Sequence, residues 1–292
     1  MRLVEALISA LMVAGLYATM SYGLALIYGV RKIINLANAG TMMLGAFVTL
    51  LIWQATGLDP LLCVFIVGPL FFGLGAVIEV FLVRRVAAQA PIISLLLLFG
   101  VWLVMQAVAS LVFGGDVRSV RPAYIDSVVH LGEVTLAYHR LPVFFSGLVI
   151  LVGLELFLRN TFLGRAIRAL AQDVEACQLA GIDTKRVSMI AFGIGTALSG
   201  AAGCLLTLVF AFDPTNPFGV LQLKSFTIIV LGGLESVVGV AFASFVLALA
   251  ENLTVTLWKA QLENLVSFVL LVVVLVVMPG GLAALLRRRG VA

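Results

Sequence analysis

The chain has 292 residues, 63% of them hydrophobic and 11% charged, with a formal net charge of +4. Soluble domains carry roughly 45–50% apolar and about 25% charged residues, so this balance excludes a soluble globular protein and indicates an integral membrane chain. The apolar stretches run to about twenty residues instead of alternating in tens, which excludes a β-barrel and predicts helical spans.

Apolar runs between charged or Pro/Gly-rich breaks predict spans near 6–30, 33–53, 61–83, 92–113, 142–158, 187–211, 218–232, 236–257 and 264–286. The expected fold is an all-α, polytopic membrane helix bundle of eight or nine transmembrane spans, in one domain over residues 1–292. The first span is too long for a signal-peptide core and lacks a cleavage site. Its Gly15, Thr19 and Gly23 share one helical face; Thr196 with Gly200, and Ser199 with Gly203, do so in the sixth span. Such spacing lets backbones approach closely in lipid.

Asn35 and Asn38 open the second span, with Thr41 just beyond, and polar groups at that depth need partners or water. They read either as glue between helices or as lining of a translocation path. The run at 218–232 is short and ends at Gly232-Gly233, so it reads as a half-helix of the kind that lines a transporter cavity, or as a packing kink. Glu235 follows at the expected rim. Glu155 has Arg159 four residues on, a favourable helical pair. Glu79 lies near Arg84 and Arg85. Glu251, in "ALAEN", has no partner in the sequence and is the candidate intramembrane polar site.

Cys63, Cys177 and Cys204 show no paired or ligand spacing and read as small apolar fillers. His130 and His139 are the only histidines, so no metal site is expected, and no nucleophile–base constellation suggests an enzyme. Lys and Arg placement orients the bundle. Arg31, Lys32, Arg84, Arg85, Arg159 and Arg165 fall on one side, with Arg168, Lys185, Arg186 and the Arg287–Arg289 tail. Arg2, Arg118, Arg121, Arg140, Lys224 and Lys259 fall on the other. The positive-inside rule makes the first side cytoplasmic, including the C-terminus and a loop at about 159–186, and makes a loop at about 114–141 external. A small basic excess distributed this way reports orientation, and no nucleic-acid partner is read into it.

Within the cytoplasmic loop, "GRAIRALAQDVEACQLAGID" at 164–183 is amphipathic at helical period. Leu163, Ile167, Leu170, Val174 and Cys177 form one stripe; Arg165, Arg168, Gln172 and Glu175 form the other. Gly181 offers a C-terminal stop and Asp183 a cap for the next helix.

This loop resembles the cytoplasmic loop of ABC-importer permeases, whose E-A-A…G pattern forms the coupling helix that docks into an ATPase subunit. Here the pattern is Glu175-Ala176-Cys177 followed by Gly181. "YGLALIYGVRKIINLANAGTMMLGAF" at 22–47, "FTIIVLGGLESVVGVAFASFVLALAEN" at 226–252 and "VVVLVVMPGGL" at 272–282 extend the resemblance. Together they are similar to the high-affinity branched-chain amino acid permeases, in the shorter-subunit form, over most of the chain and in the family's order. The family's usual N-F-A-H-G run reads here Asn35-Leu36-Ala37-Asn38-Ala39, with Asn38 in place of the histidine.

The resemblance implies a multi-pass permease subunit of the bacterial inner membrane, moving branched-chain amino acids by alternating access. Urea, amides or other amino acids are the alternative cargo. It implies Arg165, Arg168, Asp173, Glu175 and Gly181 as ATPase-coupling residues, and Asn35, Asn38, Thr41, Gly232 and Gly233 as translocation-path residues. The chain has no G-x-x-x-x-G-K-[ST] loop. No cofactor is therefore expected on it, and ATP and Mg are expected on two partner ATP-binding subunits. A periplasmic substrate-binding protein and a second, related permease subunit are the other implied partners, in a heterodimer or alternatively a homodimer. The rival class is an ion-coupled secondary transporter, for which Glu251 is the one candidate coupling group.

Overall fold

Among the described residues, nine apolar helices overlap the nine expected segments. The computed structural model describes residues 2–277 apart from 88, 123, 126–127, 132–133, 139, 216–217 and 234–235. Glu235, His139, the arginine tail and part of the 272–282 stretch lie outside these. Seven helices are long and apolar enough to cross a membrane and two are shorter, at Phe218–Gly232 and Ala260–Val276.

Helix α1 (Arg2–Arg31) is followed by α2 (Ala37–Thr56) and α3 (Pro60–Ile78). Asp59 starts α3 by accepting from the Leu61 N–H, with Pro60 at the first position, where a missing N–H costs nothing. The helix runs on through a π turn, Glu79–Val83, into α4 (Arg84–Val86), and α5 (Pro91–Phe113) returns. A connection carrying the antiparallel pair β1 (Val128–Leu131) and β2 (Val134–Ala137) leads to α6 (Arg140–Asn160). Within it, burial and the nearby Asp59 carboxylate push the Tyr124 phenol above its ordinary range. Two short helices, α7 (Phe162–Gln172) and α8 (Val174–Leu179), precede α9 (Thr184–Leu206). Then come α10 (Phe218–Gly232), α11 (Val237–Leu257) and α12 (Glu263–Val277). Arg118 and Phe212 exchange backbone hydrogen bonds, joining the α5–α6 and α9–α10 connections at one end of the bundle.

Helices α1 and α9 form the centre. α1 packs against α6, α9, α10 and α11, while α9 also receives α2 and α3. The outer helices α3, α5 and α6 turn large apolar side chains outward, including Phe65, Leu111 and Val149, as a lipid-facing surface requires. The small-residue faces read from the sequence sit at the closest approaches. Gly15 meets Gly147 of α6, Gly23 meets Gly195, and α2 crosses α9 at Gly45 with Gly200 and at Gly203 with the Met42 carbonyl. A Cβ on Gly203 would fall on backbone, which cannot yield as a flexible side chain does. Gly203→Ala is therefore expected to destabilise the detergent-solubilised protein by about 1–3 kcal/mol. Gly68→Ala, where a Cβ would meet nothing within 4 Å, should lose no stability; equal melting temperatures for the two variants would refute the close-packing account.

All three cysteines are free and buried. Cys63 and Cys204 pack with Val67 and Phe71 in a small apolar cluster, and Thr49 Oγ1 donates to Cys204 Sγ at 3.0 Å.

Candidate functional site

The chain leaves α1 at Arg31, whose guanidinium pairs with Glu79 of the π turn, and Glu79 is wholly buried. The sequence places Glu79 near Arg84 and Arg85; the fold gives it Arg31, and Arg84 Nη2 instead donates to the Lys185 carbonyl at 3.1 Å. Lys32 takes a left-handed conformation with φ of 54°, and the chain then turns back into the bundle without helix. Asn35 explains why α2 begins at Ala37 and not at residue 33 as predicted. Its Oδ1 accepts from Ala37 N at 3.1 Å and its carbonyl from Asn38 N at 3.3 Å, so one buried residue serves the first amides of the helix. The same carbonyl accepts from Gln222 Nε2 of α10 at 3.2 Å.

Asn38 Oδ1 accepts from Ser199 Oγ of α9, and the Asn38 carbonyl accepts from Thr41 Oγ1 at 2.8 Å. Ser199 stands about 22 Å along α9 from its start, at 1.5 Å per residue. Asn38 is therefore held well inside the bundle. Asn38 Nδ2, Gln222 Oε1, Ser225 Oγ and Tyr22 Oη are buried without a protein hydrogen-bond partner among the described residues. They come from α1, α2 and α10, and an unsatisfied polar group is costly at such depth. The sequence singled out Asn35, Asn38 and Thr41, which the fold brings together; it missed Gln222 and Ser225, whose polarity within an apolar run was the available signal.

Gly232 and Gly233 do a different job from the asparagines. Gly233 adopts φ of 94° and its carbonyl accepts from Ser236 N at 3.1 Å, while Ser236 Oγ caps α11 by accepting from Gly239 N at 3.0 Å. A Cβ on Gly232 would meet the Gly239 backbone at 2.6 Å. The double glycine thus folds α11 tightly back on α10, about 15 Å along the helix from Gln222.

Glu251 is far from unpartnered. Lys224 Nζ of α10 lies 3.1 Å from Glu251 Oε1 and 2.6 Å from Glu263 Oε1 of α12. Tyr17 of α1 donates to Glu251 Oε2 at 2.6 Å and accepts from Lys224 Nζ at 2.9 Å. Ser267 Oγ also donates to Glu251 Oε1. Four helices thus converge on one buried ion pair. Lys224, counted among the loop cations in the sequence reading, is only 3% exposed inside α10.

At the basic end of the bundle, the 164–183 stretch forms two helices where the sequence suggests one. Asp173 breaks the run: with φ −152° and ψ 114° it is extended, and its Oδ1 accepts from Glu175 N at 2.8 Å and Ala176 N at 3.0 Å, capping α8. The expected stripe survives at Ile167, Leu170 and Cys177, which are buried. It fails at Leu163, exposed in the first turn of α7, and at Val174, exposed beyond the break at Asp173, which resets the helical phase. Helix α7 rests on α1, α6 and α9. Helix α8 projects, with Glu175 and Gln178 exposed and Leu179 91% exposed. Gly181, at φ of 76°, ends it in the left-handed conformation, and Asp183 accepts from Lys185 and Arg186 N–H groups to start α9. Arg165 and Arg168 are exposed on α7. Glu155 and Arg159 form the expected pair at 2.5 Å on α6.

A helix bundle with polar side chains held inside it is that of a multi-pass membrane transport subunit. A family model described as branched-chain amino acid transport system / permease component matches residues 6–275, and the chain belongs to that family. It is 30% identical over 282 residues to the high-affinity branched-chain amino acid transport system permease protein LivH of Escherichia coli K12, covering 91% of this chain and 90% of the relative. It is 29% identical over 294 residues to BraD, the corresponding permease protein of Pseudomonas aeruginosa, covering 95% and 94%. LivM of Escherichia coli is 34% identical over 111 residues, 36% of this chain and 26% of the relative. No solved structure matches the chain.

Proposed function

We propose that this chain is the membrane-spanning permease subunit of an ATP-driven importer for branched-chain amino acids. The observation that carries the reading is the projecting α8, held on α7 against the two central helices. A partner that pushes on α8 pushes through α7 on α1 and α9, and so on the helices that bear Tyr22 and Ser199. Alternating access needs such a link between a force-receiving surface and a two-state path. The end bearing α7 and α8 is the cytoplasmic one, by the density of Lys and Arg there, and the ATPase subunits engage it with Arg165, Arg168, Asp173, Glu175 and Gly181. ATP and Mg belong to those subunits.

The path passes the buried polar groups of α1, α2 and α10, with Asn35, Asn38 and Thr41 on one wall and Gln222 and Ser225 on the other. Gly232 and Gly233 form the hinge at its cytoplasmic side. A second, related permease subunit completes the membrane unit, and LivM's similarity to part of this chain supports that pairing. A substrate-binding protein docks on the opposite end, near the β1–β2 connection. The test is reconstitution of this chain with its ATPase, second permease and binding protein in liposomes. Uptake of labelled leucine, isoleucine and valine is expected to require ATP on the cytoplasmic face and the binding protein on the other. Uptake driven by an ion gradient without ATPase would overturn the reading, and preferential uptake of urea or an amide would overturn the substrate.

A further inference from the structure

Beside the Lys224–Glu251 pair lies a cavity of about 180 Å³, set between α1, α6, α11 and α12. Arg140, at the first position of α6, and Glu263, at the first position of α12, both line it, so it sits toward the end opposite α7 and α8. We infer that this cavity is a binding site for a free zwitterionic α-amino acid with an aliphatic side chain. This deepens the importer reading by giving the permease its own substrate site on the side from which substrate arrives.

The chemistry of the lining selects the ligand. Glu251 has both oxygens engaged, by Tyr17, Ser267 and Lys224, and so serves as the fixed floor. Glu263 gives one oxygen to Lys224 and is the more exposed of the two carboxylates, with its side chain 35% exposed. It is the carboxylate available for an ammonium group. Arg140 has no carboxylate within ion-pairing distance among the described residues, and its Nε is buried without a hydrogen-bond partner. A guanidinium in that state is suited to a carboxylate, which it can hold through two parallel hydrogen bonds. Asn252, whose Nδ2 donates to the Ala248 carbonyl at 2.8 Å, lines the same cavity.

One cation and one anion on opposite helices match a molecule carrying one charge of each sign. Arg140 and Lys224 together balance Glu251 and Glu263, so a zwitterion enters without changing the net charge of the buried site. The rest of the lining is apolar, with Val13, Val209, Phe210 and Val255, a surface for a branched aliphatic side chain. The volume lies below the roughly 300 Å³ at which drug-sized pockets begin, which suits a single amino acid.

The experiment measures equilibrium binding of labelled leucine to the full-length chain in nanodiscs, together with any copurifying subunit, without binding protein or ATP. Saturable binding in the micromolar-to-millimolar range is expected. Valine should displace the label, whereas leucinamide, which lacks the carboxylate, and 4-methylpentanoate, which lacks the ammonium, should not. Arg140→Gln and Glu263→Gln should each weaken binding at least tenfold, and Arg140→Lys should weaken it less. Because a variant can misfold, the wild-type displacement pattern stands as an independent readout. No saturable binding up to millimolar leucine, or equal displacement by all three competitors, overturns the site. The importer reading is judged separately, by ATP-dependent uptake in the wild-type assembly, so either can fail alone.

Discussion

Replacing Lys224 with methionine is expected to cost the bundle about 3–5 kcal/mol, the range for leaving a buried charge without its partner. Lys224 and Glu251 are both nearly inaccessible, with side chains 4% and 3% exposed, so neither can turn to solvent. With the ammonium gone, Glu251 keeps hydrogen bonds from Tyr17 and Ser267 but has no counter-charge. Glu263 is part-exposed and tolerates the loss. The double variant Lys224→Met with Glu251→Gln removes both charges and should recover most of the stability, since an uncharged replacement of a buried pair is often close to neutral. Thermal unfolding in detergent of the four members of the cycle measures this. If the two single losses simply add in the double variant, the pair is not coupled and the account of the cluster is wrong.

The second expectation concerns α8. Leu179 is 91% exposed, so Leu179→Asp and Glu175→Lys should leave the melting temperature of the isolated chain unchanged. In the reconstituted assembly the two together should lower ATP-driven uptake by about tenfold or more, the scale of losing one well-packed interface residue. Gly181→Trp should act differently, because a side chain forced into the left-handed region costs about 1–2 kcal/mol and shifts the end of α8 itself. Normal uptake by a well-expressed Glu175→Lys, Leu179→Asp double variant would show that the ATPase engages some other surface.

Much of the architecture was legible in advance because lipid imposes a simple rule: backbone groups must be satisfied within each span, so length and apolarity mark the helices. The nine segments, the faces of Gly15–Gly23 and Ser199–Gly203, and the stop at Gly181 with its following cap at Asp183 were all local patterns. The features that escaped are set by contacts between distant parts of the chain. Tyr17 and Glu251 are separated by 234 positions, and no periodicity links them. The late start of α2 depends on Asn35 meeting both its own helix and Gln222. The split at Asp173 is the exception, a local signal of a capping residue inside an amphipathic run, masked by the apolar spacing that continues across it from Leu170 to Val174 and Cys177.

The burial of the three thiols has a practical consequence. A thiol shut away in apolar packing reacts slowly with reagents that need a thiolate, and Cys63, Cys177 and Cys204 are each at most 4% exposed. The natural chain is therefore already a quiet background for chemical labelling. A single cysteine introduced at Leu179, at Trp258 or beside Arg140 would report accessibility from either face of the membrane, and its change through the transport cycle, without first removing the native three.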